Sequence, residues 1–333
     1  MDYRAEAPEI IKGFLTYHET IKGHSKKTVD EYFLDLRTFF RFIKLHKGIV
    51  ERDVDFDDIP IKDVDLDLVS KVSLSDVYEY LAFLSRDRVR NSNSRHVEYG
   101  LNASSRARKI STIRSFYKYL TVKTKQISEN PVQELDSPKI IKSVPRYLSL
   151  DESVRLLGSI DGANRERDFC IMTLFLNCGL RISELVGLDI SDIRDDSLRV
   201  LGKGNKERVI YLNDACISAI GDYLAIRKSV ATSEKRAFFL SSRKTRISRS
   251  TVHALVKHHL LAAGLDSSKY SSHKLRHTAA TLMLRSGVDV RTLQEFLGHD
   301  HLNTTQIYTH VENESLREAA RRSPLSNFKP DKE

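Results

Sequence analysis

RERDFCIMTLFLNCGLRISELVGL (165–188), followed by SLRVLGKGNKERVIYL (197–212), decides the fold. The first part is apolar on nearly every side, which predicts a buried helix, and Gly179 is placed to close it. Its longest apolar run, Phe169 to Leu180, is broken by Thr173 and Asn177. That is far short of the ~20 residues a bilayer-spanning helix needs. The second part alternates apolar and polar residues on both sides of a glycine-containing turn, which predicts a β-hairpin. A buried helix requires other elements around it. SRSTVHALVKHHLLAAG (248–264), with apolar positions 252, 255, 256 and 260, supplies one. KLRHTAATLMLRSG (274–287) and VRTLQEFLG (290–298) supply two more, with TTQIYTHV (304–311) as a further helix. This half is therefore mainly helical with a small antiparallel β-sheet.

Working outward, SLDE at 149–152 offers a capping box that opens this domain. Before it, NPVQELDSPKIIKSVPRYL (130–148) reads as a linker, because three prolines block helix. Further upstream, SKKTVDEYFLDLRTFFRFIK (25–44) has Ser25 to cap and apolar residues at three-to-four spacing. SLSDVYEYLAFL (73–84) and SSRARKISTIRSFYKYL (104–120) predict two more helices, the latter with Arg106, Arg108, Lys109 and Arg114 largely outward. The segment 51–67 holds eight acids against two bases, which predicts a solvated connector, or a short strand from its D-V-D alternation. The expected organisation is a helical domain over 1–137, a linker over 138–148 and a second domain over 149–333.

The chain has 333 residues, about two domains at ~150 residues each. Apolar residues make up 40% and charged residues 30%, a globular rather than a disordered composition. Lysine and arginine exceed aspartate and glutamate by 54 − 45, or +9, which favours a polyanionic partner. The amino-terminal MDYRAEAPE has no apolar core of a secretory signal. Cys170, Cys178 and Cys216 are odd in number and lack CxxC spacing, which speaks against a disulfide framework and for a reducing compartment.

The polar residues within these apolar elements have competing readings. Arg181 is either paired with an acid such as Glu184 or aimed at a ligand anion. Lys203, between two glycines, is either a solvated turn residue or a lysine able to reach a backbone phosphate. His273 and Arg276 share a helix face. His273 and His277 have metal-like spacing, but Lys274 stands where HExxH needs glutamate, and Arg276 places a permanent cation beside any metal. His277 then reads as a hydrogen-bonded core histidine. His299, His301, Tyr308 and His310 cluster near the end of the chain, and Tyr308 taken alone is ordinary core packing.

Their order and spacing carry more than any one of them. Arg181 in GLRISEL, Lys203 in GKGNKER, His273, Arg276 and His277 in HKLRHTAAT, and His299 and Tyr308 in LGHxxxxTTxxYTH resemble the signature of the tyrosine recombinase, or lambda-integrase-type, family. Within it the Xer-like and bacterial integrase branch is most similar. The amino-terminal helices look like the family's SAM-like core-binding domain, ahead of its α-rich catalytic domain. His301, where a small residue is more usual, and the acidic connector are departures. The resemblance implies site-specific DNA recombination through a 3′-phosphotyrosine. Tyr308 is then the nucleophile, Arg181 and Arg276 bind the non-bridging phosphate oxygens, and His273 assists Tyr308. Lys203 protonates the leaving 5′-oxygen, and His299 supports the phosphate or the tyrosine. Glu184 orients its neighbours, and His277 stands behind them. No metal, cofactor or ATP is implied.

The implied partner is double-stranded DNA, held by both domains and by a homo-tetramer, or a hetero-tetramer with a related recombinase, in the cytoplasm and away from membranes. Lys26, Lys27, Arg106, Arg108, Arg114, Arg243, Lys244 and Arg246 are the expected phosphate contacts. Two other readings remain open: a type IB topoisomerase-like enzyme, and a DNA-binding protein without catalysis.

Overall fold

The computed structural model describes residues 5–89, 99–136, 138–139, 146–202 and 207–298. The chain divides into two compact units, Met1–Lys142 and Ser143–Glu333. The first is helical. Helix α1 (Glu9–Thr16) runs into a π-turn at Tyr17–Ile21, and α2 spans Lys26–His46. A short α3 (Leu66–Ser70), α4 (Leu74–Arg86) and α5 (Ala103–Lys118) follow, and α5 ends in a second π-turn at Tyr119–Lys123. The starts follow from side-chain caps. The Ser25 hydroxyl accepts from the Thr28 amide, and Ser73 and Asp76 form a reciprocal capping box. Phe14, Phe33, Phe39, Phe40, Ile113 and Phe116 are fully buried in one core, with Phe14 and Phe116 edge to face at 5.5 Å.

Two expectations are corrected here. Lys109 is turned inward, because Asp35 on α2 is fully buried and needs cations. Arg108 forks onto it at 2.6 and 2.8 Å, and Lys109 donates at 2.9 Å. The acidic segment 51–67 is more than a solvated connector. Ile59, Ile61 and Val64 are buried, and the buried Lys44 reaches Asp63 and the Pro60 carbonyl. It forms turns leading into α3, with no strand. Val132 and Leu135 also join this core, so the proline-rich segment begins inside the first unit.

The second unit begins with α6 (Leu150–Gly158), capped by Ser149 and Glu152 as its sequence predicts. Next come α7 (Arg165–Cys178) and α8 (Ile182–Gly187). Strands β1 (Ile193–Arg194), β2 (Ser197–Leu201) and β3 (Glu207–Tyr211) form an antiparallel sheet in that order, with Leu198 opposite Ile210 and Arg199 opposite Val209. Helices α9 (Asp214–Ser229), α10 (Arg249–Ala262), α11 (Ser272–Arg285) and α12 (Val290–Leu297) complete the described part. Helix α7 is the centre of this core, buried on nearly every side and packed against α9 and α11. Leu148 is buried in the same unit, its amide donating to Thr278 Oγ1 at 3.0 Å. Among the described residues no helix is long and apolar enough to cross a membrane.

Candidate active site

Two turns of the second unit meet where α7 ends, the one that leads into α8 and the one that closes α12. Gly179 has φ +57°, the left-handed conformation that lets the chain leave α7 without a side-chain clash. A Cβ there would lie 2.7 Å from Leu297 Cδ2, so the end of α12 packs directly on this turn. Arg181, two residues on, is extended (φ −72°, ψ 146°) and stands at the N-cap of α8. Its amide donates to Glu184 Oε2 at 2.8 Å and its Nη1 to Glu184 Oε1 at 2.7 Å.

Glu184 is 4% exposed. A carboxylate in that position needs partners, and it has them. Arg208 on β3 forks onto it, Nη1 to Oε1 at 2.7 Å and Nη2 to Oε2 at 3.0 Å. Arg276 Nη1 lies 3.9 Å from Oε2. Burial alone would raise the Glu184 carboxyl, but the hydrogen bonds and charge of Arg208, joined by those of Arg181, hold it below the usual glutamate range. One anion thus serves three guanidinium groups, and the cluster keeps a net positive charge.

The same three arginines grip the end of α12. Arg208 Nε donates to the Phe296 carbonyl at 3.3 Å, Arg276 Nη2 to Leu297 at 2.6 Å and Arg181 Nη2 to Gly298 at 2.9 Å. Three successive carbonyls at a helix C-terminus each receive one cation, where the helix dipole is negative. Arg276 Nη1 also donates to the Gly179 carbonyl, tying α11 to the α7–α8 turn.

His273 and His277, one turn apart on α11, share a hydrogen bond between their Nε2 atoms at 3.1 Å. His277 is buried and His273 faces solvent on one side. Crowding of the His273 ring by its neighbours, then the charges of Arg276, Lys274 and Arg181, lower its pKa, so the ring is neutral at pH 7. A neutral imidazole beside fixed cations can accept a proton.

The structure therefore brings Arg181, Glu184, His273, Arg276 and His277 together. Lys203, His299, His301, Tyr308 and His310 lie outside the described residues, as does the helix expected over 304–311. Of the expected phosphate contacts, Lys26, Lys27, Arg243 and Lys244 are exposed, and Arg114 is half-buried. Arg106 donates to Ser85 Oγ and to the Leu101 carbonyl. Arg108 is held by Asp35 and Glu31, and Arg246 by Asp189 and the carbonyls of Val186 and Leu188.

Residues 146–315 match the phage integrase family, and residues 64–124 match the phage integrase N-terminal SAM-like domain. The chain belongs to the phage integrase family. Tyrosine recombinase XerC of Caldanaerobacter subterraneus subsp. tengcongensis is 54% identical over 320 residues, covering 96% of this chain and 88% of the relative. The protein is a Xer-like tyrosine recombinase, an enzyme of site-specific recombination that breaks and rejoins DNA. Two solved structures share its fold. XerH bound to a palindromic difH substrate has a TM-score of 0.65 at 20% identity and covers 94% of each chain. A lambda integrase tetramer bound to a Holliday junction has a TM-score of 0.59 at 18% identity, covering 90% of this chain and 76% of the other.

Arg208 was not among the residues that sequence reasoning singled out in this recombinase. The signal was present. Ile210 fixes the inward phase of β3, and Arg208, two residues before it, shares that face. An arginine on the inward face of a strand must find a buried acid.

Proposed function

We propose that this recombinase cleaves double-stranded DNA with Arg181, Lys203, His273, Arg276, His299 and Tyr308 as its catalytic set. The observation that carries the proposal is the arginine cluster on Glu184 and on the carbonyls of residues 296–298, immediately before the segment that holds Tyr308. A phosphodiester bears one negative charge and its pentacoordinate transition state bears two. Fixed cations favour the second over the first, and losing one such group typically costs ~10²–10³ in rate. Arg181, a third of whose side-chain surface is open, offers its fork to the non-bridging oxygens, and the buried Arg276 adds charge at short range.

A free phenol has a pKa of ~10 and holds its proton at neutral pH, so the Tyr308 phenol passes its proton to the neutral His273 as it attacks phosphorus. The P–O5′ bond then breaks, and Lys203 protonates the departing 5′-oxygen, a contribution of ~10²–10⁴. The bond energy is retained in the 3′-phosphotyrosine, from which a free 5′-hydroxyl of another strand can reclaim the phosphate without ATP. His299 supports the phosphate, and Glu184 and His277 hold the arginines and His273 in place. Residues 1–137 serve as a core-binding domain and 149–333 as the catalytic domain, joined over 138–148. The recombinase works in the cytoplasm as a tetramer on DNA, a reading supported by the fold it shares with the lambda integrase tetramer on a Holliday junction.

The test is covalent capture in cells, followed by sequencing of the attached DNA. Wild-type protein is expected to form an SDS-resistant DNA adduct, and purified protein is expected to form it on the recovered site in the presence of EDTA. Tyr308→Phe should bind that site normally and form none. An adduct that persists in Tyr308→Phe, or that disappears in EDTA, contradicts the proposal.

A further inference from the structure

We propose that Arg208 is a positioning residue of the strand-cleavage reaction, which neutralises Glu184 so that Arg181 and Arg276 keep their full charge for the phosphate. The inference rests on the roles assigned above to Arg181, Arg276 and Tyr308. Its starting point is a charge count within hydrogen-bonding reach. Arg181 and Arg276 against Glu184 leave one net positive charge. Adding Arg208 makes two, which matches the dianionic transition state rather than the monoanionic substrate.

Geometry assigns the neutralising task to Arg208 in particular. It is the partner whose guanidinium takes both carboxylate oxygens, and its side chain is 14% exposed against 33% for Arg181. Fork-to-fork pairing is the strongest arrangement available to a guanidinium and a carboxylate. With Arg208 in place, Arg181 meets Glu184 through Nη1 and has Nη2 on the Gly298 carbonyl. Without it, Arg181 becomes the nearest strong partner of a buried carboxylate. Its fork would then be drawn onto Glu184 and away from an incoming phosphate.

Arg208 also bears on the chain leading to the nucleophile. Its Nε donates to the Phe296 carbonyl, and a Cβ on Gly298 would lie 2.9 Å from Arg208 Cδ and 3.1 Å from Nε and Nη1. Gly298 has φ +63°, so both the turn and the close approach of Arg208 require glycine there.

The test measures adduct formation on a duplex of the recovered site, once with an ordinary scissile phosphodiester and once with a methylphosphonate there. The methylphosphonate transition state carries one negative charge fewer. Arg208→Gln is expected to slow adduct formation ~10²-fold on the phosphodiester but less than ~10-fold on the methylphosphonate. The double variant Glu184→Gln with Arg208→Gln removes one charge of each sign and should recover most of the loss. Equal losses on both substrates with no recovery in the double variant, in an otherwise active protein, would overturn the role of Arg208 alone. A wild-type protein that forms no adduct on the phosphodiester would overturn the reading of Tyr308 and this proposal with it.

Discussion

Glu184 shows how a single residue organises the site. Its burial would be costly for an isolated charge, and breaking a buried ion pair from one side typically costs ~3–5 kcal/mol. Surrounded by Arg181, Arg208 and Arg276, it instead fixes three cations that would otherwise repel one another. His273 presents the opposite case. Crowding and the neighbouring cations disfavour its protonated form, so its pKa lies below 6.5. A proton acceptor with a lowered pKa keeps its capacity as pH falls to the ordinary histidine value and loses it only beneath that. The rate of adduct formation should therefore stay level from about pH 8 to about pH 6.5 and decline below. A decline that begins above pH 7 would contradict a neutral His273. Arg181 with Glu184 was legible in the sequence as an ion pair or an anion ligand, and the structure shows the ion pair. Arg208 was legible only through the inward phase of β3, because its partner lies on a different element.

At the scale of elements, the junction of α7, α8 and α12 determines where the arginines point. Gly179 is its narrowest point, combining a left-handed backbone with contact to Leu297. Gly179→Ala should cost about 1–2 kcal/mol from backbone strain alone, measured by denaturant unfolding. It should also slow adduct formation, because displacing Leu297 shifts the carbonyl that Arg276 holds. A variant as stable and active as wild type would show that this packing is dispensable. Elements with side-chain caps and a clean apolar stripe, such as α2, α4 and α10, could be read from sequence. Helix α9 could not, for a physical reason. Ile217 and Ile226 are 39% and 44% exposed, whereas Arg227 is buried and bonded to the Ala237 and Glu234 carbonyls, so its stripe is blurred. The acidic segment 51–67 misled for a related reason. Its isoleucines pack inward while the aspartates around them remain in water.

For the whole molecule, each unit buries its own core among the described residues, and the chain carries a net charge of +9. Lys26, Lys27, Arg243 and Lys244 are exposed, whereas Arg108 and Arg246 are matched by carboxylates within the protein. Six phosphate contacts would give a log–log slope of affinity against salt of about −5. A slope near zero in a salt titration of site binding would remove the electrostatic account of DNA recognition. The central claim concerns a single covalent bond, and it can be observed directly. Wild-type protein reacted with its recovered site, digested with nuclease and trypsin and analysed by mass spectrometry, should carry a nucleotide on the peptide from Thr292 to Arg317, with fragmentation placing it on Tyr308. A nucleotide found on any other residue, or an SDS-resistant protein–DNA adduct whose Tyr308 peptide is unmodified, would contradict the account.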